Sequence, residues 1–325
     1  MCTKLSVRLF GKFRIQSDDE TQIVIESKKA LELFGYLLIY RDRPHPRETL
    51  AEVNWGDNSA AHSKKYLRQA LWQFQSVLNS QLSTDCHPIL IAEPDWLQLN
   101  PEAPLWLDVA EFEQACILAQ RKPANELSSY DFLYFKKAAN LYQGDLLEGW
   151  YEDWCLYERE RLQNMCLTLY DKLMEYCELH NQYEDALAYG RQILRLDVAH
   201  ERTHRRMVEI YYKSGERTEA LRQYKRCVTA LNDELGVQPA RETIELYERI
   251  SSGQEPVVHS DIEPVSSPVS TAVMLQRLSH LKKLMDTFQQ HVLAEINDLE
   301  AALIQSDPEP PPTTLESISN QNKTP

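Results

Sequence analysis

A mainly α-helical chain with a small β component is what the sequence predicts, on three observations. Strict alternation of apolar and polar residues is confined to short runs in the first hundred residues. Apolar residues at three- and four-residue steps dominate the remainder, and a 34-residue self-similarity recurs inside that helical part.

Residues 4–15 (KLSVRLFGKFRI) set Leu5, Val7, Leu9 and Phe13 against Lys4, Arg8 and Lys12, the mark of a half-buried strand. A second strand, Ile23-Val24-Ile25, follows the acidic turn Asp18-Asp19-Glu20. Residues 28–40 predict a helix because Ala30, Leu31, Phe34, Leu37 and Leu38 recur at helical steps, and Pro44 and Pro46 stop it. Two more helices follow, residues 47–55 with Leu50 and Val53 facing inward and residues 62–79, with the turn Gly56-Asp57-Asn58 between them. Ile89-Leu90-Ile91 and Leu97-Gln98-Leu99 flank Pro94-Asp95, a hairpin pattern. Strands, three helices and a terminal hairpin form the order of a winged helix-turn-helix, here residues 1–104.

Residues 105–250 read as nearly all helix. Asp185-Ala186-Leu187 recurs 34 residues later as Glu219-Ala220-Leu221, with Tyr176 matching Ile210 and Ile193 matching Cys227. That period belongs to tetratricopeptide-like helix pairs. Small Ala186 and Ala220 let helices approach, while the larger residues a turn away fill the space between hairpins. Residues 251–271, with Pro256, Pro264 and Pro268, predict a linker. Met274, Leu278, Leu281, Met285, Phe288, Val292, Leu299 and Leu303 then step by threes and fours, interrupted at Glu295, and predict a coiled-coil helix over 272–305. Residues 306–325, with Pro308, Pro310, Pro311 and Pro312, predict a disordered tail.

The 325 residues carry a net charge of −14, distributed as about −1 over residues 1–105, −7 over 106–250 and −6 over 251–325. The acidity lies mostly outside the first domain, but that domain has no broad basic field, so affinity for a polyanion must come from a local patch. No apolar run approaches the roughly 20 residues of a membrane span, and the first residues lack the apolar stretch of a signal peptide, so a cytoplasmic protein without membrane association is expected. Seven scattered cysteines without a C-x-x-C pair predict reduced thiols, no disulfide and no zinc.

Enzymatic chemistry finds little support. Nine glycines include neither a G-x-x-x-x-G-K-[ST] nor a G-x-G-x-x-G phosphate cradle, so no cofactor is expected. His200 and His204 stand four apart on a predicted helix, with Glu201 between them, but ordinary histidines are expected and no metal. Trp150, Tyr151 and Trp154 fit core packing at the entry to the repeats better than a ligand pocket, and Asp108 fits a helix N-cap better than a catalytic acid.

Several stretches carry a resemblance to a known family. They are Lys64-Lys65-Tyr66-Leu67-Arg68-Gln69-Ala70-Leu71, Leu97-Gln98-Leu99 through Leu107-Asp108-Val109-Ala110-Glu111-Phe112, Tyr142-Gln143-Gly144-Asp145-Leu146-Leu147, Trp154, Glu158-Arg159-Glu160-Arg161-Leu162 and Leu235-Gly236-Val237-Gln238-Pro239. Across about residues 4–250 the chain resembles the Streptomyces antibiotic regulatory proteins: a winged helix of the response-regulator output type followed by a bacterial transcriptional activator domain. The resemblance implies binding to double-stranded promoter DNA, often at repeated sites, and recruitment of RNA polymerase to activate transcription. It also makes residues 64–71 part of the recognition helix. Gln73 and Gln75 stand where this family usually carries arginines, which implies weaker phosphate binding.

On that helix Leu67, Leu71, Phe74 and Leu78 cluster toward the core. The opposite side presents Lys65, Gln69, Trp72 and Ser76, with Arg68 and Gln73 on the flanks and Lys64 near the start. Lys64, Lys65, Arg68, Gln69, Trp72 and Gln73 are therefore the candidate DNA-binding residues: cations for phosphates or guanine, glutamines for adenine, and Trp72 for a thymine methyl. About three neutralised phosphates per subunit give a salt slope near −3 per monomer. A homodimer joined through residues 272–305 doubles it. The alternative is a protein-interaction scaffold that binds no DNA and uses the repeat groove and the C-terminal helix. In that case the cations only solvate a helix face and Trp72 packs against the neighbouring domain.

Overall fold

The computed structural model of the chain describes residues 4–81 and 86–253. The linker beyond residue 253, the coiled-coil helix over 272–305 and the tail over 306–325 lie outside the described residues. The described residues form one compact unit.

The expected single strand over residues 4–15 is a hairpin. β1 (Leu5–Arg8) and β2 (Arg14–Ser17) pair antiparallel, with Val7 opposite Ile15. Alternation continued across the turn because both strands bury one face, and the break is at Leu9 and Phe10, two consecutive buried residues. β3 is only Gln22–Ile23, and Val24 stands 62% exposed. α1 (Lys28–Ile39) follows, its first turn capped by the Ser27 hydroxyl, which accepts from the Ala30 N–H at 3.3 Å. α2 is Arg47–Trp55, with Leu50 buried. Val53, expected inward, is 44% exposed, because Leu50, Ala51 and Trp55 take the buried stripe. α3 spans Ala60–Gln81.

Two strands went unforeseen because each is too short to show a period. β4 (His45–Pro46) pairs with β6 (Trp96–Leu99), which also pairs with β5 (Leu90–Ala92). Pro46 fits there because β4 is an edge strand. β7 (Leu105–Leu107) runs parallel to β1 and completes the sheet β3-β2-β1-β7, so the helical reading from residue 105 begins three residues too early. Two small sheets and three helices make up the winged helix-turn-helix.

The helical part comprises α4 (Asp108–Arg121), α5 (Ser129–Ala139), α6 (Asp153–Leu179), α7 (Tyr183–Leu196), α8 (Glu201–Lys213), α9 (Arg217–Leu235) and α10 (Arg241–Ser251). Ser128 and Asp131 form a reciprocal capping box at the start of α5. The 34-residue repeat extends to the backbone. The Gln182 N–H donates to the Cys177 carbonyl at 2.8 Å, and 34 residues on the Glu216 N–H donates to the Tyr211 carbonyl at 2.8 Å. Asn181 and Gly215, again 34 apart, both take a positive φ (55° and 84°), which ends α6 and α8 and reverses the chain into the next helix. Ala186, Ala220, Tyr176, Ile210, Ile193 and Cys227 are all buried, as their alignment requires.

Both lobes share one hydrophobic core running from Leu5 to Ile210. Beyond β1 the chain keeps pairing with a loop of the helical lobe: the Gly11 N–H donates to Asp145 O, the Leu147 N–H to Leu9 O and the Glu148 N–H to Gly11 O, at 2.8–2.9 Å. The Arg159 guanidinium fixes that loop by donating to the carbonyls of Leu146, Leu147 and Trp150. Asp108, expected as an N-cap, is instead the first residue of α4: Leu107 holds the N-cap position and no side chain caps the helix. The Asp108 carboxylate accepts from the Val109 N–H at 2.7 Å and also from the N–H groups of Leu9 (2.9 Å) and Phe10 (3.0 Å). Burial pushes the Asp108 carboxyl up, against those three donors that favour the charged form.

Trp150 lies against Gly35 of α1, where a Cβ would come within 3.0 Å of its ring, and Trp154 meets Tyr36 edge-on. Tyr151, by contrast, is exposed. Five cysteines (Cys116, Cys155, Cys166, Cys177, Cys227) are free and buried, and burial pushes the thiols of Cys116 and Cys227 up to about 12. Cys86 departs from the expectation of no disulfide, being disulfide-bonded.

Candidate nucleic-acid interface

α3 is the longest helix of the N-terminal lobe and divides cleanly by burial. Ser63, Leu67, Ala70, Leu71, Phe74 and Leu78 are buried at three- and four-residue steps. Phe74 stacks on Phe34 of α1 at 5.3 Å, fixing the helix against the core. The turn from α2 into α3 is held by the Ser63 hydroxyl, which donates to the Trp55 carbonyl at 2.9 Å, and by the Ser59 carbonyl, which accepts from the N–H groups of His62 and Ser63.

The opposite side is open. Lys64, Lys65, Arg68, Gln69 and Trp72 are all exposed and Gln73 is half-buried, so one helix face brings the six candidates together. Trp72 is 70% exposed, so it does not pack against the helical lobe. Lys65 and Arg68 form no ion pair among the described residues. Lys64 differs: its ammonium lies 2.6 Å from the Glu48 carboxylate in the first turn of α2. The hydrogen bond and charge of Lys64 hold the Glu48 carboxyl below its ordinary range. Glu48 escaped the sequence reading because it stands 16 residues from its partner on another helix, where no local period reveals it.

The β5–β6 hairpin turns at Glu93 to Trp96, where the Glu93 N–H donates to the Trp96 carbonyl at 3.0 Å. Its tip is acidic, with Glu93 and Asp95 exposed. Arg47 at the start of α2 donates through Nε to the Glu93 carbonyl at 2.9 Å and through its backbone N–H to the Asp95 carbonyl, joining the helix pair to the wing. In the repeats, His204 is buried between Gln223 (2.8 Å to Nδ1) and the Val198 carbonyl (3.0 Å to Nε2), while His200 contacts the Thr203 hydroxyl at 2.8 Å. Both rings are engaged in packing the repeat. No helix among the described residues is long and apolar enough to cross a membrane.

Comparison with known proteins shows what this chain is similar to. Residues 107–251 match the model of the bacterial transcriptional activator domain. The regulatory protein AfsR of Streptomyces coelicolor is 23% identical over 293 residues, which is 86% of this chain and 28% of AfsR. The structure of Mycobacterium tuberculosis EmbR in complex with a low-affinity phosphopeptide shares the fold, with a TM-score of 0.59 and 19% identity over 78% of this chain and 66% of that one. The chain thus spans little more than a quarter of AfsR and just under two thirds of EmbR. Residues 107–251 are therefore similar to the bacterial transcriptional activator domain, and with the winged helix before them the chain has the order of domains that the resemblance to the Streptomyces antibiotic regulatory proteins implies.

Proposed function

We propose that this chain binds double-stranded promoter DNA through the outward face of α3 and activates transcription in the cytoplasm by recruiting RNA polymerase, without enzymatic activity of its own. The observation that carries the reading is the open face itself: Lys65, Arg68, Gln69 and Trp72 stay exposed although the neighbouring lobe shares a core with the winged helix. Lys65 and Arg68 serve phosphates or guanine edges, Gln69 and Gln73 serve adenine, and Trp72 meets a thymine methyl. Since Glu48 occupies Lys64, about two cations per subunit are free for phosphates. The salt slope is then near −2 per monomer, and twice that for a dimer joined through residues 272–305.

Two features favour a second reading, a scaffold without DNA affinity: the Lys64–Glu48 pair and the acidic hairpin tip at Glu93 and Asp95. Electrophoretic retention of genomic fragments at two salt concentrations separates them. Retention that weakens with salt, depends on sequence and is lost in the Lys65→Ala/Arg68→Ala chain supports DNA binding. Absence of retention at low salt supports the scaffold.

A further inference from the structure

A second group of exposed cations lies away from α3, at the edge of the junction between the lobes. The register of the first hairpin sets Arg8 of β1 directly opposite Arg14 of β2, and both point away from the core. Like charges in that position destabilise an antiparallel pair unless something of opposite sign lies between them. Lys12 in the intervening turn adds a third exposed cation, and none of the three forms an ion pair among the described residues.

Together with Phe10, Gly11, Gln143 and Glu148 these residues line a cleft of about 250 Å³. Glu148 is the single carboxylate in that lining, which leaves the cleft two positive charges in excess. Its walls are built. The Gly11 and Glu148 N–H groups are bonded across the two lobes, and the Phe10 ring packs edge-on against Phe112 at 5.2 Å and at a tilt against Tyr142 at 4.9 Å. A cation cluster held on ordered backbone loses little freedom when it captures a ligand.

We infer that this cleft is a binding site for a small phosphate-bearing anion. The Arg8 and Arg14 guanidinium groups hold its oxygens, Lys12 acts as a point charge and the Gln143 amide is an added donor. Paired guanidinium forks match phosphate geometry, and the excess charge suits a diphosphate better than a monovalent anion. The cleft's size admits one or two phosphate groups, whereas a duplex backbone needs an open surface. Its lining comes from the winged helix on one side and the helical lobe on the other, so occupancy ties the two lobes together. The inference is independent of the DNA-binding reading, since it uses no residue of α3.

The test titrates the full chain with inorganic pyrophosphate, and separately with inorganic phosphate, at ionic strength fixed with sodium chloride, followed by calorimetry and thermal unfolding. Saturable binding of one pyrophosphate per chain is expected, with Tm raised by several degrees and phosphate binding more weakly. In Arg14→Gln the affinity falls at least tenfold, while the ligand-free Tm stays level or rises because the opposed charges are relieved. Arg8→Gln lowers the affinity likewise and serves if the first variant folds poorly, although its ligand-free Tm is not expected to rise because Arg8 favours the charged form of the buried Asp108. A Tm shift matched by sodium chloride alone, the absence of saturable binding, or unchanged affinity in both variants overturns the inference. So does loss of DNA retention in these variants without any pyrophosphate binding, which would make the cleft a duplex contact.

Discussion

Among the described residues, two groups of cations contrast. At the junction between the lobes, arginines are partly buried and fully engaged. Arg159 donates to three loop carbonyls, while Arg41 and Arg161 both reach the Glu113 carboxylate, and Arg161 also reaches Glu158 at 2.6 Å. On α3, Lys65 and Arg68 stand exposed without an ion pair among the described residues. The same residue type therefore does opposite work, holding backbone and carboxylates in one place and remaining free for an outside anion in the other. A near-neutral charge balance over the first lobe hides this, because Coulomb interactions depend on which charges are already paired and not on their sum.

The junction carries the larger stake, so its loss gives the largest effect. Asp108→Ala leaves the buried N–H groups of Leu9 and Phe10 without their acceptor. An unsatisfied buried donor costs about 1–3 kcal/mol, partly offset by removing a desolvated carboxylate, so a destabilisation of about 3 kcal/mol is expected in urea denaturation. Because the core runs unbroken from Leu5 to Ile210, the loss appears as one shifted transition. Two separated transitions, with the winged helix melting first, would break the contrast between a fused junction and a free α3.

A smaller effect reads the engaged population by pH. His204 is held below its ordinary value of 6.5, first by burial and then by the nearby charges of His200 and Arg226, against the Val198 carbonyl and Asp197. Its folded pKa lies below the unfolded one, so its neutral form contributes stability that is present above pH about 6.5 and lost as pH falls through the folded value. The Tm of the chain is expected to fall on acidification below that point, and His204→Gln flattens this dependence. An identical decline in both chains assigns the effect to other groups.

Sequence patterns revealed what local periodicity encodes and missed what crosses the chain. The apolar stripe of α3 and the alanines of the repeat were legible because each repeats within a few turns or at a fixed offset. β4 and β7, at two and three residues, carry no period, and their pairing partners lie about 50 and 100 residues away. Asp108 looked like a helix cap because only its bond to Val109 is local. Its bonds to Leu9 and Phe10 span almost a hundred positions. The exposed face of α3 is legible as a face, but the engagement of Lys64 is not, because Glu48 lies on another helix. The place of Val53 is not legible, because nine residues of α2 give too few turns to decide between two neighbouring stripes.

Lys64 stands between the two populations, and that makes it the finest test of the division. It sits on the open face of α3, yet its ammonium is held at 2.6 Å by a carboxylate that is itself fully solvent-exposed. An exposed pair of this kind contributes little to folding, so Glu48→Gln should leave the Tm nearly unchanged. What changes is the charge offered outward. Lys64 becomes free, and removal of Glu48 also takes a negative charge from the edge of the proposed DNA face. DNA retention at low salt should then strengthen, and the salt slope should steepen by about 1 per subunit as a further phosphate is neutralised. An unchanged slope with unchanged affinity means that Lys64 faces no phosphate, which would shift the contact region of α3 toward Arg68 and Trp72.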